Sequence, residues 1–196
     1  PAQARSPWRV RSTGPSAFAY PLPSLGAKQR RAFVVGNALF KQNWVTAPAS
    51  TTGRDGLGPL FNARSCSACH LRDGRGRPSS AAELAANQPV PGLLFRTGVR
   101  TGAATDMPHP RFGSQLQEHA IFDYAPEGRV HTTWTTLSGS FDDGTEYELV
   151  APRYALPADS GAHLASEPDL ILGPRVAPQL IGLGLLESVP VEAITA

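Results

Sequence analysis

Two cysteines and one histidine stand close together in the chain, in the run Cys66-Ser67-Ala68-Cys69-His70. Positions i, i+3 and i+4 of a helix project from one face, so these three side chains can act together on one bound group. The Cys-x-x-Cys-His spacing is that of c-type haem attachment, in which the thiols add across two porphyrin vinyl groups and the imidazole coordinates the iron. We therefore expect one covalent haem c, attached through Cys66 and Cys69, with His70 as an axial ligand.

Two other kinds of site use closely spaced cysteines. A zinc site needs four ligands, and the remaining histidines form no second pair at a suitable spacing: His109, His119, His131 and His163. A thioredoxin-like redox pair follows a strand in a βαβ unit, and the sequence shows no such pattern. Because haem thioethers are made outside the cytoplasm, the motif also predicts a periplasmic or otherwise exported protein.

The composition bounds the architecture and excludes some partners. The 196 residues are 41% hydrophobic but include 19 Gly and 19 Pro, so we expect short elements joined by long loops. The net charge of +2 is scattered, without a basic stripe that would indicate nucleic-acid binding. No apolar run approaches the length of a transmembrane segment, about 18 residues. We divide the chain into an extended arm, 1–25, and a haem domain, 26–196.

Local patterns predict four elements. Aromatic residues at helical spacing, among them Phe33, Phe40 and Trp44, predict a helix over 26–44. A short helix is expected over 60–70, where it would carry the cysteines, and a short buried helix over 178–187. The β-branched residues 129–137, the turn signal at 142–144 and the alternation over 145–150 predict a β-hairpin at about 129–151.

Several stretches follow the pattern of a known family. They are 36–40, 55–70 and 73–76, then 109–117, and finally 175–178 with 183–187. Together they resemble the bacterial di-haem oxidoreductases of peroxidase type, which are distant relatives of di-haem cytochrome c peroxidase and of the MauG-type enzymes. The resemblance extends from about residue 26 to the end of the chain.

The resemblance implies a mainly α, cytochrome c-like haem domain with long loops and the hairpin as an insertion. It implies an oxidoreductase that transfers electrons and reduces peroxide, with a redox protein and a small oxidant such as peroxide as partners. Family members carry a second Cys-x-x-Cys-His in a following domain, which these 196 residues lack. A second haem would therefore come from another domain or a partner chain. The alternative is a mono-haem electron-transfer cytochrome without catalysis of its own.

The distal side of the iron decides between these functions, because an open sixth site permits peroxide binding and an occupied one favours electron transfer. Met107, His109 and His119 are the candidate sixth ligands. Glu118 lies in the family-like segment and is the candidate acid/base for peroxide cleavage. In the same segment, Gln115 could orient peroxide or water by a hydrogen bond.

Residues around the motif are expected to contact the haem. Phe61 and Asn62 lead into the motif, and Arg64 could pair with a haem propionate. Further arginines could do the same: Arg72, Arg75 and Arg77. His131 and His163 are expected to be structural or exposed.

Overall fold

The fold is given by a computed structural model that describes residues 6–80, 82–83, 86, 90–100, 107–157 and 169–195. Within these ranges lie the helices α1 (Ala27–Lys41), α2 (Cys66–Cys69), α3 (Leu183–Leu186) and α4 (Val191–Thr195). The strands are β1 (Leu60–Phe61), β2 (Leu93–Val99), β3 (His119–Ala120), β4 (His131–Ser140), β5 (Glu146–Ala155) and β6 (Leu170–Val176). They form three antiparallel pairs: β1 with β3, β2 with β6, and β4 with β5. His163 lies outside the described residues.

The prediction of a mainly α, cytochrome c-like fold is wrong. Over the described residues α1 is the only helix of more than five residues, whereas four strands have seven or ten residues each. Helix α1 also has no buried residue. The physical reason is that strands and a loop, rather than packed helices, supply the apolar interior.

The core lies on one face of β2. Four apolar side chains are buried together there, Phe95, Phe112, Leu116 and Val130, and partly buried residues of β5 and β6 pack against them. The loop 112–116 runs along the free edge of β2, where the Leu116 amide donates to the Phe95 carbonyl at 2.9 Å. Strand β6 pairs along the other edge, with Phe95 opposite Pro174.

Sequence patterns did not predict β2 and β6. The dipeptide Gly173-Pro174 inside β6 predicts a turn rather than a strand, because proline cannot donate a hydrogen bond to a neighbouring strand. In this structure β6 pairs only with β2 among the described strands. An edge strand tolerates a proline whose missing N–H would point away from its partner.

The predicted hairpin is confirmed. Its pairing runs from His131 opposite Ala155 to Ser140 opposite Glu146, so the second strand is longer than expected. Gly144 has a φ of +84° in the turn, a conformation that glycine adopts without steric cost. The base of the hairpin packs on the core through Tyr154, and its outer half is exposed.

The predicted helices had different outcomes. The first is confirmed as α1, although Trp44 lies beyond its end. The second is wrong over 60–65, since 60–61 is a strand and helix begins only at Cys66. The predicted buried helix over 178–187 is reduced to the four residues of α3, which are exposed. No helix in the described part of the chain has the length and apolarity that crossing a bilayer requires.

Helix α1 supports the cysteine motif from one side. Its half-buried face carries Asn37 and Phe40. The Asn37 side chain donates to Asp73 at 2.6 Å, and Lys41 forms an ion pair with the same carboxylate at 2.9 Å. Because Asp73 closes the turn that follows His70, these contacts fix the segment that leaves the motif.

Candidate functional site

The cysteine motif occupies a single helical turn. In α2 the His70 amide donates to the Cys66 carbonyl at 3.0 Å, which brings both thiols and the imidazole to one turn as expected. Both thiols are free; Cys66 is exposed and Cys69 is half-buried. Burial raises the pKa of the Cys69 thiol, and this effect outweighs a backbone hydrogen bond from Gly92. The proton therefore stays on sulfur at neutral pH.

His70 is held in one orientation by a residue far along the chain. Its Nδ1 lies 2.7 Å from the Pro178 carbonyl oxygen, and its ring packs near Phe40 with centroids 6.1 Å apart. A carbonyl can only accept, so Nδ1 is the protonated nitrogen and Nε2 carries the lone pair. Metal-ligating histidines usually donate the N–H of their other ring nitrogen to such an acceptor, which orients the ring and makes the ligating nitrogen more basic. His70 is therefore prepared to bind iron through Nε2.

Two glycines bring Pro178 to the motif. The Gly76 amide donates to the Ala177 carbonyl at 2.9 Å, and the Ala177 amide donates to the Gly92 carbonyl at 2.7 Å. Gly92 has a φ of +80°, and a Cβ there would overlap the Cys69 carbonyl oxygen. Sequence reasoning did not identify these two glycines. The available signals were the Pro91-Gly92 turn dipeptide and the position of Gly76 in a family-like stretch.

A cavity of about 790 Å³ lies beside Cys69. Five of the residues predicted around the cofactor line it together: Phe61, Asn62, Arg64, Glu118 and His119. The beginning of β4 and the residues just before it form another wall, which includes Arg129 and Thr132. Cys66 and His70 are not among the lining residues, so the cavity adjoins the motif on its Cys69 side. Arg129 was not predicted, because nothing in its local sequence indicates proximity to the motif.

Asn62 joins the motif segment to the segment that carries Glu118. Its Nδ2 donates to the Leu116 carbonyl at 2.8 Å and to Gln117 Oε1 at 2.9 Å. Its Oδ1 accepts from the Glu118 amide at 3.1 Å. Asn62 was predicted to contact the haem; in the structure it lines the cavity and holds two of its walls together.

Glu118 is a carboxyl group in a largely enclosed position. The Val130 amide donates to its Oε1 at 2.9 Å. Burial raises the pKa of Glu118, and this effect outweighs that hydrogen bond and the nearby charges of His119 and Arg129. A carboxyl group that retains its proton at higher pH than usual is suited to proton transfer inside a cavity.

His119 faces the same cavity and has an unsatisfied ring nitrogen. It lies opposite Phe61 in the β1–β3 pair, with the two rings edge to face at 5.7 Å. Its Nδ1 is buried and, among the described residues, has no hydrogen-bond partner. Buried polar atoms are normally satisfied, so this nitrogen indicates a group that binds in the cavity.

The other two candidate ligands lie elsewhere. His109 is buried, and its Nδ1 accepts from the amides of Arg111 at 3.2 Å and Phe112 at 3.3 Å. In neutral imidazole this leaves the proton on Nε2, so neither nitrogen offers iron a free lone pair. Met107 is 55% exposed, and its backbone forms an isolated antiparallel β-bridge with Val99. Neither His109 nor Met107 lines the cavity.

Among the remaining predicted residues, Arg72 and Arg75 are exposed and do not line the cavity. The backbone of Gln115 forms an isolated β-bridge with Arg96 of β2, and Gln115 does not line the cavity. The Arg64 guanidinium lies over the Phe61 ring, 5.7 Å from its centroid, at the cavity wall. Arg77 is paired with Glu83 through two hydrogen bonds. His131 is exposed on the hairpin, as expected.

Taken together, the residues present fit a covalently attached haem. Two free thiols and an imidazole with its Nε2 available stand on one turn, beside a cavity that contains an unsatisfied buried nitrogen. Among the described residues, no group of three or more His, Cys, Asp or Glu could hold a metal ion on its own. The single protein-derived nitrogen donor of His70 is what a porphyrin-bound iron requires on its proximal side.

Comparison with known proteins gave one match. Residues 9–90 match the sequence profile of the family described as "Di-haem oxidoreductase, putative peroxidase". This range contains the cysteine motif and the stretches 36–40, 55–70 and 73–76, so the resemblance is confirmed for the N-terminal part of the chain. The stretches after residue 90 lie outside the matched range. Searches among curated proteins and among solved structures gave no match.

Proposed function

We propose that this chain is a periplasmic c-type haem domain that transfers electrons and reduces peroxide. The match of residues 9–90 to the di-haem oxidoreductase family supports an oxidoreductase role with haem as cofactor. The observation that carries the proposal is the 2.7 Å contact between His70 Nδ1 and the Pro178 carbonyl. It gives the imidazole beside two free thiols the tautomer and the orientation of a metal ligand.

Cys66, Cys69 and His70 hold the haem in this proposal. The two thiols would hold the porphyrin through thioether bonds, which form by addition of S–H across a vinyl group and need no oxidant, and His70 Nε2 would hold the iron. When bound, the haem supplies reversible one-electron chemistry and a metal site at which peroxide can bind. Arg64 and Arg129 are the basic residues of the cavity lining in the described structure. Their positive charges would attract the carboxylates of a haem bound in the cavity.

Glu118 holds and moves the proton that peroxide cleavage requires. Reduction of hydrogen peroxide to two water molecules consumes two electrons and two protons. The electrons come from a redox protein or from a second haem on another domain or chain. The raised pKa of Glu118 keeps a proton available within the cavity, and Asn62 keeps the carboxyl group in position through the Glu118 amide.

A second candidate function is electron transfer without catalysis, and His119 favours it. Its Nδ1 is enclosed without a hydrogen-bond partner among the described residues, as expected of a nitrogen that binds a metal or another group. If His119 occupies the sixth position, peroxide has no access to the iron. The two functions therefore differ in one observable, the occupancy of that position.

The first experiment tests haem attachment. The chain is produced with an export signal in a host that matures c-type cytochromes, and its mass is measured after denaturation. We expect one added haem in the wild type, loss of the covalent haem in Cys66→Ser/Cys69→Ser, and an altered spectrum in His70→Ala. His131→Ala, an exposed histidine on the hairpin, is the matched control and should retain both haem and spectrum. A wild-type protein without added mass would refute the proposal.

The second experiment separates the two functions. The ferric spectrum is recorded before and after addition of cyanide or peroxide. A high-spin spectrum that changes on addition supports the peroxidase function. A low-spin spectrum that becomes high-spin in His119→Ala, but not in Met107→Ala, supports electron transfer with His119 as the ligand. For the peroxidase, Glu118→Gln should lower turnover by about 10²–10⁴-fold, whereas exposed Glu192→Gln should leave it unchanged.

A further inference from the structure

The outer half of the hairpin, residues 135–150, exposes apolar side chains. Leu137 and Leu149 are paired directly across the two strands and are 49% and 56% exposed. On the same face, the Tyr147 ring lies over Gly139, where an added Cβ would meet its hydroxyl at 2.5 Å. A two-stranded hairpin is marginally stable on its own in water. An exposed leucine pair at its centre is therefore a surface suited to being covered.

The same element carries a concentrated negative charge. Residues 131–152 contain no lysine or arginine, although the whole chain has a net charge of +2. The carboxylates of this segment lie in the turn and along β5: Asp142, Asp143, Glu146 and Glu148. None of them forms an ion pair in the described part of the chain. Strand alternation places Glu146 and Glu148 on the face opposite Leu149. Surface charges act over about 8 Å at physiological salt, so these carboxylates make the potential around the outer half of the hairpin negative.

We propose that the outer half of the hairpin is a docking surface for a different protein, one that presents an apolar patch surrounded by lysines and arginines. Charge complementarity selects this occupant, because a basic surface is attracted and an acidic one is repelled. A second copy fits less well. Packing the hairpins of two copies against each other would bring their carboxylates together, and like charges repel.

The position of the hairpin indicates what the partner does. Thr132, at the base of β4, lines the cavity beside Cys69, and Leu137 lies five residues further along the same strand, about 17 Å away. A protein docked on the outer half is therefore held beside a wall of the proposed haem cavity. We assign it as the redox partner that exchanges electrons with this domain, an assignment that rests on the proposed function. The docking surface itself does not depend on the haem.

The test measures binding of the full haem-loaded chain to two defined probes. One is a small basic mono-haem cytochrome c, and the other is an acidic cytochrome of the same size. Calorimetric titration at about 20 mM and about 200 mM salt gives the dissociation constants. We expect the basic probe to bind, with weaker affinity at the higher salt, and the acidic probe not to bind. Failure of the basic probe to bind, or equal binding of the two probes, would overturn the proposal.

Two variants separate charge from apolar contact, because the carboxylates of β5 and the leucines lie on opposite faces. Glu146→Gln/Glu148→Gln should weaken binding about three- to thirtyfold and reduce its salt dependence. Leu137→Ser/Leu149→Ser should weaken it about tenfold or more at either salt concentration. The matched control, Glu187→Gln/Glu192→Gln, changes two exposed carboxylates outside the hairpin and should leave the affinity within about twofold.

The controls distinguish this proposal from the proposed function. Circular dichroism confirms that each variant retains the hairpin. Equal weakening by the hairpin and control carboxylate variants would overturn the docking surface. Sedimentation that showed a dimer, lost in Leu137→Ser/Leu149→Ser, would assign the leucine face to a second copy instead. If the purified chain carried no haem, the proposed function would fail, yet binding of the basic probe to the hairpin could still be measured.

Discussion

Replacing Gly92 with alanine is expected to destabilise the fold far more than the same replacement at Gly182. The two glycines have nearly the same backbone conformation, with φ of +80° and +83°. Forcing an alanine into this left-handed region costs about 1–2 kcal/mol at either position. At Gly182 a Cβ meets nothing within 4 Å, whereas at Gly92 it would overlap the Cys69 carbonyl oxygen and lie 2.7 Å from the Gly76 Cα.

The overlap at Gly92 involves backbone atoms, which cannot rotate away. Overpacking of this kind costs about a further 1–3 kcal/mol. Gly92→Ala should therefore lose about 2–5 kcal/mol of unfolding free energy, and Gly182→Ala about 1–2 kcal/mol. Urea denaturation followed by circular dichroism measures both values on the same protein preparation. Equal losses for the two variants would refute the inference that Gly92 holds the Pro178 segment against the end of α2.

The remaining predictions concern stability around the cavity. Burial raises the folded-state pKa of Glu118 above its unfolded value, so the wild type should lose stability as pH rises between the two values. Glu118→Gln should not show this loss, so its unfolding free energy relative to wild type should increase with pH and the increase should be absent below the unfolded pKa. Urea denaturation at several pH values measures this difference, and a difference independent of pH would contradict the prediction. Asn62→Ala removes three hydrogen bonds and should lower the free energy of unfolding by about 2–4 kcal/mol. Asn37→Ala removes one hydrogen bond and should lower it by about 1 kcal/mol. Similar losses for the two variants would show that Asn62 does not join the two segments. Tyr147→Ala uncovers Gly139 and should cost about 1 kcal/mol, with hydrogen exchange accelerated in β4 and β5 but not in β2; uniform acceleration would contradict a local role.

Features that depend on neighbouring residues in the chain could be predicted. Helix α1 followed from the spacing of Phe33 and Phe40, and the hairpin from alternation on either side of a turn containing Gly144. The one-turn arrangement of the cysteine motif followed in the same way, because three-residue spacing places both thiols on one side of any helical turn. Each of these patterns reports the backbone conformation of its own segment.

The fold class could not be predicted, because it depends on which segments pack together. Strand β2 could not be predicted from local patterns, because its partner, β6, lies about 75 residues later and contains Gly173-Pro174. Helix α1 has the pattern of a core helix, yet Val34 and Leu39 are more than 60% exposed. Local periodicity shows that a face is apolar but not what covers it, and here strands rather than helices enclose the interior.

The residue types of the candidate site were therefore determined by the sequence, and their arrangement by the tertiary structure. Cys66, Cys69 and His70 are defined by their spacing alone. Tertiary structure decided that the carbonyl of Pro178, 108 residues away, orients His70, and that His119, rather than His109, faces the cavity. The physical reason is that a hydrogen bond or a cavity wall requires two distant segments to meet. Where they meet depends on the packing of the whole chain rather than on the conformational preferences of either segment.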